Sequence, residues 1–298
     1  MSNLADIFAR YKAAVFFDTE TNGLNADTCQ IIELAAIRIE QTDHGTLRMA
    51  DSADLFVKLP EGQKVPEKIA ELTGITDKRL EAKGVTEAEA AARFTDMLRG
   101  GPVLLVAHNA QFDLLFCRAM LWRYPGDGEE LLEAADYLDS LTAYKDRRAY
   151  PHKLANAIVA YKLEDKVQNS HKAIDDVAAL FEVCKAMDDE RPDLLEYVNV
   201  FGYNPKYGVS GRRLDGVIYH PQRFNNYMTS PAGTLPAIVK EARRHDAKQE
   251  PSTHGDKRTT QGGRGGPSGL PGARRILAES RTVRQKETGA GQRNAAGR

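Results

Sequence analysis

The sequence predicts an α/β fold, in which helices cover the faces of a mixed β-sheet. Short apolar runs typical of buried strands occur at Ala13–Phe17, Ile31–Ile39 and Val103–Val106. Longer segments with apolar residues at helical spacing lie between and after these runs, and the last of them spans 171–188. Beyond about residue 247 neither pattern is present, so we expect the folded part of the chain to end before that point.

Each element has its own signal along the chain. Pro66 and Gly74 delimit one short helix, because proline suits a helix start and glycine a helix end. Alternating or continuous apolar residues predict strands near 13–18, 31–40, 52–58, 103–107 and 134–138. Helical spacing predicts helices near 66–72, 86–99, 110–122, 139–148, 152–161 and 171–188.

The first predicted strand ends in acidic residues. The apolar run Ala13–Phe17 leads directly into Asp18-Thr19-Glu20, and Asn22-Gly23 then ends the strand. Alternate residues of a strand share a face, so Asp18 and Glu20 point the same way. Taken alone, this block is equally consistent with a strand that ends in polar residues before a turn.

A second acidic position follows another strand. The apolar run Val103–Val106 precedes His108-Asn109, and Asn109 is a candidate cap for the helix predicted at 110–122. Asp113 falls one turn inside this helix. A solvated helix acid is the plainer interpretation of that residue on its own.

The third block, His171-Lys172-Ala173-Ile174-Asp175-Asp176, opens the last predicted helix. Asp176 lies in the first turn, five residues after His171, while Asp175 points about 100° away around the helix. A neutral imidazole can accept a proton near neutral pH, which suits a general base. A lone histidine before a helix is otherwise usually a surface or capping residue.

Four carboxylates and a histidine together point to metal-dependent phosphodiester chemistry. Two divalent ions about 3.5–4 Å apart can activate the attacking oxygen and neutralise the phosphate. Mg²⁺ prefers oxygen ligands, which Asp18, Glu20, Asp113 and Asp176 supply. The sequence has no His/Cys cluster of the kind that binds structural zinc.

The three blocks, in this order, resemble those of the DEDDh 3′→5′ exonucleases. Within them the chain resembles the DnaQ-like group, which includes the proofreading epsilon subunit of bacterial replicative polymerases. The resemblance covers about residues 10–188 and implies a ribonuclease-H-like fold. It implies that Asp18, Glu20 and Asp176 bind two Mg²⁺ or Mn²⁺ ions, that Asp113 assists less directly, and that His171 is the general base.

The resemblance also implies a cleft for a single-stranded or frayed 3′ end. The segment 65–76 resembles a helix and turn that flank this cleft, and Leu24 is placed to wedge against the terminal base. Glu33, in the segment that resembles the second strand of the family, is expected to be structural. The candidate substrate-binding residues are Thr19, Thr21, Gly23, Leu24, Thr73, His108, Asn109 and Phe112.

We therefore expect an enzyme that removes nucleoside monophosphates from DNA 3′ ends in proofreading or repair, either alone or beside a DNA polymerase catalytic subunit or another replication protein. An RNA 3′→5′ exonuclease would use the same five residues, because they act on the phosphate and not on the sugar. Recognition of the 2′-hydroxyl would separate the two. A non-catalytic nucleic-acid-binding module is the third alternative, and the intact set of acids argues against it.

Composition limits the class of protein. Hydrophobic residues make up 42% of the chain, and the longest apolar runs are far too short to span a membrane. No secretory signal is visible at the N-terminus. Cys29, Cys117 and Cys184 have apolar neighbours and no metal-like spacing, which indicates buried thiols in a reducing, cytoplasmic compartment.

Charge and composition divide the chain into three predicted parts. Residues 1–190 form the exonuclease domain, 191–246 a small aromatic and basic extension, and 247–298 a glycine-rich tail expected to be disordered. The extension is expected to be a small hairpin packed on the catalytic domain; the alternative is that its aromatics, interleaved with Lys and Arg, stack bases and hold phosphates. Residues 241–298 carry a net charge of +7, whereas the remaining 240 residues carry −8. The tail can attract phosphates or can simply solubilise the protein.

Overall fold

The computed structural model describes residues 4–167, 173–222 and 235–241. Its centre is a mixed five-stranded sheet, which confirms the predicted fold class. The strand order is β3-β2-β1-β4-β5, with the strands β1 Ala13–Thr21, β2 Ile31–Gln41, β3 Leu47–Phe56, β4 Val103–Ala107 and β5 Asp136–Asp139. The first three strands pair antiparallel, whereas β4 runs parallel to β1 and β5 parallel to β4.

Helices pack on both faces of this sheet. They are α1 Ala5–Arg10, α2 Glu67–Thr73, α3 Asp77–Lys83, α4 Glu87–Met97, α5 Ala110–Arg123, α6 Gly128–Ala134, α7 Ser140–Arg147, α8 Leu154–Ala160 and α9 Ala173–Glu190. The six predicted helices are all present, with ends shifted by a few residues. The short helices α1, α3 and α6 were not predicted from the sequence.

The two faces of β1 belong to different halves of the core. Ala14 and Phe16 pack with the apolar residues of α9, whereas Val15 and Phe17 pack with those of α4 and α5. Because side chains alternate along a strand, this arrangement directs Asp18 and Glu20 toward the α9 face. The same rule places Thr19 on the α5 face.

The chain continues beyond α9 into a second, smaller sheet. Strand β6, Val200–Tyr203, pairs with β7, Ile218–Pro221, and the two strands run parallel. The expected hairpin is therefore wrong, because a parallel pair needs the long connection that residues 204–217 provide. The division of the chain at residues 190 and 246 stays a prediction, and the tail from 247 lies outside the described residues.

Within the part of the chain that the structure describes, no helix is long and apolar enough to cross a membrane.

Candidate active site

The acids of β1 face a third acid across the sheet. Asp18 pairs in register with Ala35 of β2, and Glu20 pairs with Glu33. Asp18 and Glu20 are partly buried, and Glu33 is only 3% exposed. Carboxylates directly opposite one another on neighbouring strands repel, so this face of the sheet concentrates negative charge.

Helix α9 brings Asp176 to the same face. Asp176 lies in the first turn of α9, which packs on β1 and β2, and its charge acts on both Asp18 and Glu20. The structure therefore brings together the predicted acids of the first and third blocks. His171 lies outside the described residues, so its predicted role as the general base stays a prediction.

Asp113 approaches the site from the opposite face of β1. Its Oδ1 accepts hydrogen bonds from the backbone N–H of Thr19 at 3.0 Å and from Thr19 Oγ1 at 2.7 Å. Burial, together with the charge of nearby Asp18, holds the pKa of Asp113 well above its ordinary range. Thr19 thus links the second block to the first, and its own hydroxyl is committed to this bond.

Burial and mutual repulsion raise the pKa values of these acids. Burial, with the charges of Glu20, Asp176 and Glu33, raises the pKa of Asp18 to about 8. Burial, with the charges of Glu33, Asp176 and Asp113, raises the pKa of Glu20 to about 7. Since the strongest neighbouring charges are all carboxylates, a cation at this face would be stabilised by every one of them.

The chemistry of the donor set fits hard divalent ions, because the clustered donors are all carboxylate oxygens. Within residues 4–167, 173–222 and 235–241, however, no three His, Cys, Asp or Glu side chains are arranged closely enough to surround a metal ion. Asp18, Glu20 and Asp176 are the residues that could hold such an ion.

The candidate substrate-binding residues fall into two groups. Leu24 is 88% exposed on a loop that Asn22 and Gln30 close with two hydrogen bonds, so it is free to contact a base. Gly23 has no space for a side chain, since an added Cβ would lie 2.4 Å from Cys29 Sγ. Thr21 donates to the carbonyl of Gly23, which fixes the turn before Leu24.

Other candidates are occupied by contacts within the protein. His108 Nδ1 lies 2.9 Å from Ser140 Oγ, and its Nε2 lies 2.9 Å from the carbonyl oxygen of His152. Burial lowers the pKa of His108, so its imidazole tends to be neutral. Thr73 donates to the carbonyl of Ile69 and helps to end α2. Their role in substrate binding stays a prediction, as does that of Phe112, which is partly buried on α5.

Asn109 was expected to cap α5, but the cap comes from another residue. Asn109 adopts φ +79°, and its side chain makes no capping bond. Instead, Asp139 Oδ1 accepts hydrogen bonds from the backbone N–H groups of Asn109 at 2.9 Å and Ala110 at 3.2 Å. Only the pairing of β4 with β5 brings Asp139 to this position, and the local sequence at 109 carries no sign of it.

The sequence profile of the exonuclease family RNase_T matches residues 15–184, which is more than half of the chain. The chain belongs to this exonuclease family. The resemblance drawn from the three acidic blocks is thereby confirmed. The domain is a nuclease domain, and nucleases are hydrolases. Exonucleases of this kind use divalent metal ions.

Relatives of this exonuclease domain come from two kinds of bacterial protein. The PolC-type DNA polymerase III of Clostridium perfringens is 30% identical over 195 residues, which are 65% of this chain and 12% of that protein. Ribonuclease T of Vibrio vulnificus is 33% identical over 113 residues, covering 35% of this chain and 52% of the relative. The chain thus matches about half of one relative and a small part of the other.

Solved structures share the fold of this exonuclease domain. Escherichia coli exonuclease I in complex with a dT13 oligonucleotide aligns with a TM-score of 0.53 and 21% identity, over 62% of this chain and 43% of that one. A zinc-bound form of that enzyme with single-stranded DNA aligns with a TM-score of 0.52 and 21% identity, over 63% of this chain and 43% of that one. The fold similarity extends to exonuclease I of Methylocaldum szegediense, with a TM-score of 0.53 and 20% identity over 62% of this chain and 42% of that one.

Proposed function

We propose that this protein removes nucleoside monophosphates from the 3′ ends of DNA, taking single-stranded or frayed ends, in proofreading or repair. The observation that carries the proposal is the convergence of Asp18, Glu20 and Asp176 on one face of β1, where Glu20 and Asp176 raise the pKa of Asp18 and Asp176 also raises that of Glu20. Such a face suits two divalent ions, Mg²⁺ or Mn²⁺. When bound, these ions neutralise the phosphate and polarise its scissile bond.

The protein's own residues have distinct parts in this proposal. Asp18, Glu20 and Asp176 hold the ions, and Asp113 fixes the strand position between the two β1 acids through Thr19. His171, two residues before α9, accepts the proton of the attacking water. Leu24, exposed beyond Gly23, packs against the terminal base and favours an unpaired end.

Two observations support DNA as the substrate and replication as the setting. One relative is a PolC-type DNA polymerase III, and several structures with the same fold hold DNA oligonucleotides. A polymerase catalytic subunit or another replication protein is therefore the expected partner, unless the enzyme acts alone. Similarity to ribonuclease T, at 31–33% identity in several species, favours RNA 3′ ends as the second candidate substrate.

The test offers the purified protein, with Mg²⁺ or Mn²⁺, matched DNA and RNA oligonucleotides labelled at either end. We expect a ladder that shortens from the 3′ end, mononucleotide products, and faster digestion of mispaired than of paired ends. Asp18→Ala and Asp176→Ala should each reduce turnover by several orders of magnitude, whereas the neighbouring Asp175→Ala serves as the matched control. Release of mononucleotides from the 5′ end, nicking of circular single strands, or near-normal turnover of both Ala variants would refute the proposal.

A further inference from the structure

The connection between β6 and β7 carries basic and aromatic side chains at the end of the sheet where the acids lie. We propose that this segment, residues 204–217 (hereafter the 204–217 loop), binds the single-stranded nucleic acid that leads into the active site. The proposal rests on the proposed function, since it concerns the same substrate. The loop lies beyond residues 15–184, which the family profile matches.

The direction of β6 places the loop. The backbone N–H of Asn199 donates to the carbonyl of Tyr137 in β5, and that of Gly202 donates to Thr142 Oγ1 at the start of α7. Strand β6 therefore advances in the same direction as β5. The loop consequently leaves β6 at the edge of the sheet where β1, β4 and β5 end, which is the edge that carries Asp18, Glu20 and the start of α5.

Hydrogen bonds from a buried glutamine attach the loop to α5. Gln111, two residues before Asp113 and 8% exposed, donates its amide to the carbonyls of Ser210 at 3.1 Å and Arg212 at 2.7 Å. Its Oε1 accepts from the hydroxyl of Tyr219 at 2.7 Å, and that hydroxyl accepts from the N–H of Leu214. Gln111 therefore bonds the loop directly at two carbonyls and through Tyr219 of β7 at a third point, which fixes the loop beside the active-site helix.

The loop presents positive charge that has no acidic ion-pair partner among the residues that the structure describes. Every described arginine except Arg79, Arg212 and Arg213 forms an ion pair with an acidic side chain. Arg212 and Arg213 are exposed, as is Lys206, and the loop contains a single acid, Asp215. The two neighbouring arginines thus add unpaired positive charge to a chain whose first 240 residues carry −8.

Aromatic rings accompany these cations. Tyr207 is 74% exposed, with Lys206 Nζ 4.9 Å from its ring centroid, and Arg213 lies 4.8 Å from the centroid of Tyr219. Exposed rings beside cations are the features with which proteins hold unpaired bases and phosphates without reading sequence. In a duplex, stacking of neighbouring base pairs hides the base faces from Tyr207, so the fitting partner is a single strand, of DNA or of RNA.

The test measures binding by the full-length protein in Ca²⁺, with 5′-fluorescein dT12, dT3 and rU12 as probes. Tyr207→Ala should weaken dT12 binding by about tenfold, within the range of base–aromatic stacking, and Tyr207→Phe should restore it. Replacing Lys206, Arg212 and Arg213 with alanine together should lower the slope of log affinity against log salt by about 2 on dT12. Both changes should affect dT12 more than dT3, and the rU12 probe shows whether the sugar matters.

The matched controls remove similar side chains at the opposite end of the sheet. Trp122→Ala takes away a ring that is 62% exposed in the last turn of α5, and Lys12→Ala an exposed cation just before β1. Equal losses in these controls, wild-type affinity in the loop variants, or no binding of dT12 by the unaltered protein would each overturn the proposal. If the loop variants bind dT12 more weakly but the unaltered protein releases no nucleotides in Mg²⁺, the proposed function alone is refuted. If the protein digests the oligonucleotide but the loop variants bind it with wild-type affinity, only this inference is refuted.

Discussion

At the scale of single residues, the buried acids link stability to pH. Burial and the charge of Asp54 raise the pKa of Glu33 from about 4.5 to about 7, although the backbone N–H of Ala173 donates to its carboxylate. The folded state therefore keeps a proton on Glu33 that the unfolded chain releases. This stabilising contribution is complete below about pH 4.5 and is lost as the pH rises through about 7.

Glu33→Gln tests this linkage, because glutamine resembles the protonated acid: it can accept from Ala173 and donate to Asp54. Relative to the wild type, we expect the variant to have a similar melting temperature at pH 5 and a higher one at pH 8, both measured in EDTA. Glu81→Gln, the same change at an exposed position of α3, should show no such divergence. A variant that is less stable than the wild type at pH 8 would mean that the charge of Glu33 is needed.

His171 is the other residue whose role can be isolated. Replacement with alanine should lower turnover by about 10²–10⁴, the usual contribution of general acid–base catalysis. The acidic limb of the pH–rate profile should weaken, because the group whose deprotonation it reports is gone. Oligonucleotide affinity in Ca²⁺ serves as the control and should change little. An unaltered pH profile in His171→Ala would remove this residue from the mechanism.

At the scale of elements, Asp139 joins three parts of the active-site edge. It ends β5, begins α7, and is 4% exposed. Besides the N–H groups of Asn109 and Ala110, it accepts from the N–H of Leu141 at 3.2 Å and from Thr142 Oγ1 at 2.6 Å. One carboxylate therefore holds the starts of both α5 and α7.

Asp139→Ala should lower the free energy of unfolding by about 3 kcal/mol, because buried donors lose an ionised acceptor. Asp139→Asn should cost less, since its amide oxygen can still accept two of these bonds. Urea unfolding measures both values, and Asp165→Ala, at an exposed site after α8, is the control. A loss below about 1 kcal/mol for Asp139→Ala would show that water replaces the carboxylate, since an unsatisfied buried donor costs about that much or more.

The elements also show what the sequence can predict. The apolar runs of β1, β2 and β4 are buried on both faces, so continuous hydrophobicity is sufficient to locate them. Strand β3 has a single buried residue and polar residues interrupting its apolar ones, and its predicted start was five residues late. Helices of six or seven residues, such as α1 and α3, have too few apolar positions to show a period.

The residues of the candidate site also differ in whether the sequence alone could predict them. Asp18, Glu20, Asp113 and Asp176 stand in local patterns that depend on nothing distant in the chain. The importance of Glu33 comes from its position opposite Glu20, which is set by strand register. Register and crossover geometry depend on the packing of the whole domain, so no window of sequence around Glu33 could have indicated that pairing.

At the scale of the whole molecule, charge is unevenly distributed along the chain. Residues 241–298 carry +7, and they are poor in apolar residues and rich in glycine. An acidic domain repels nucleic acid at long range, so a basic segment on the same chain would offset that repulsion. The alternative is that the segment docks a protein partner through Ile276 and Leu277, its one apolar point.

Truncation at residue 245 separates these alternatives. The exonuclease domain should stay folded, because the removed residues have little apolar surface to bury, and turnover on a trinucleotide should be nearly unchanged. On a long oligonucleotide, truncation should lower the affinity. The slope of log affinity against log salt concentration should also become less steep, by about 0.7 for each phosphate that the truncated protein no longer neutralises. Docking of a protein partner instead predicts equal salt slopes for the full-length and truncated proteins, so identical slopes would rule out a role of the tail in binding nucleic acid.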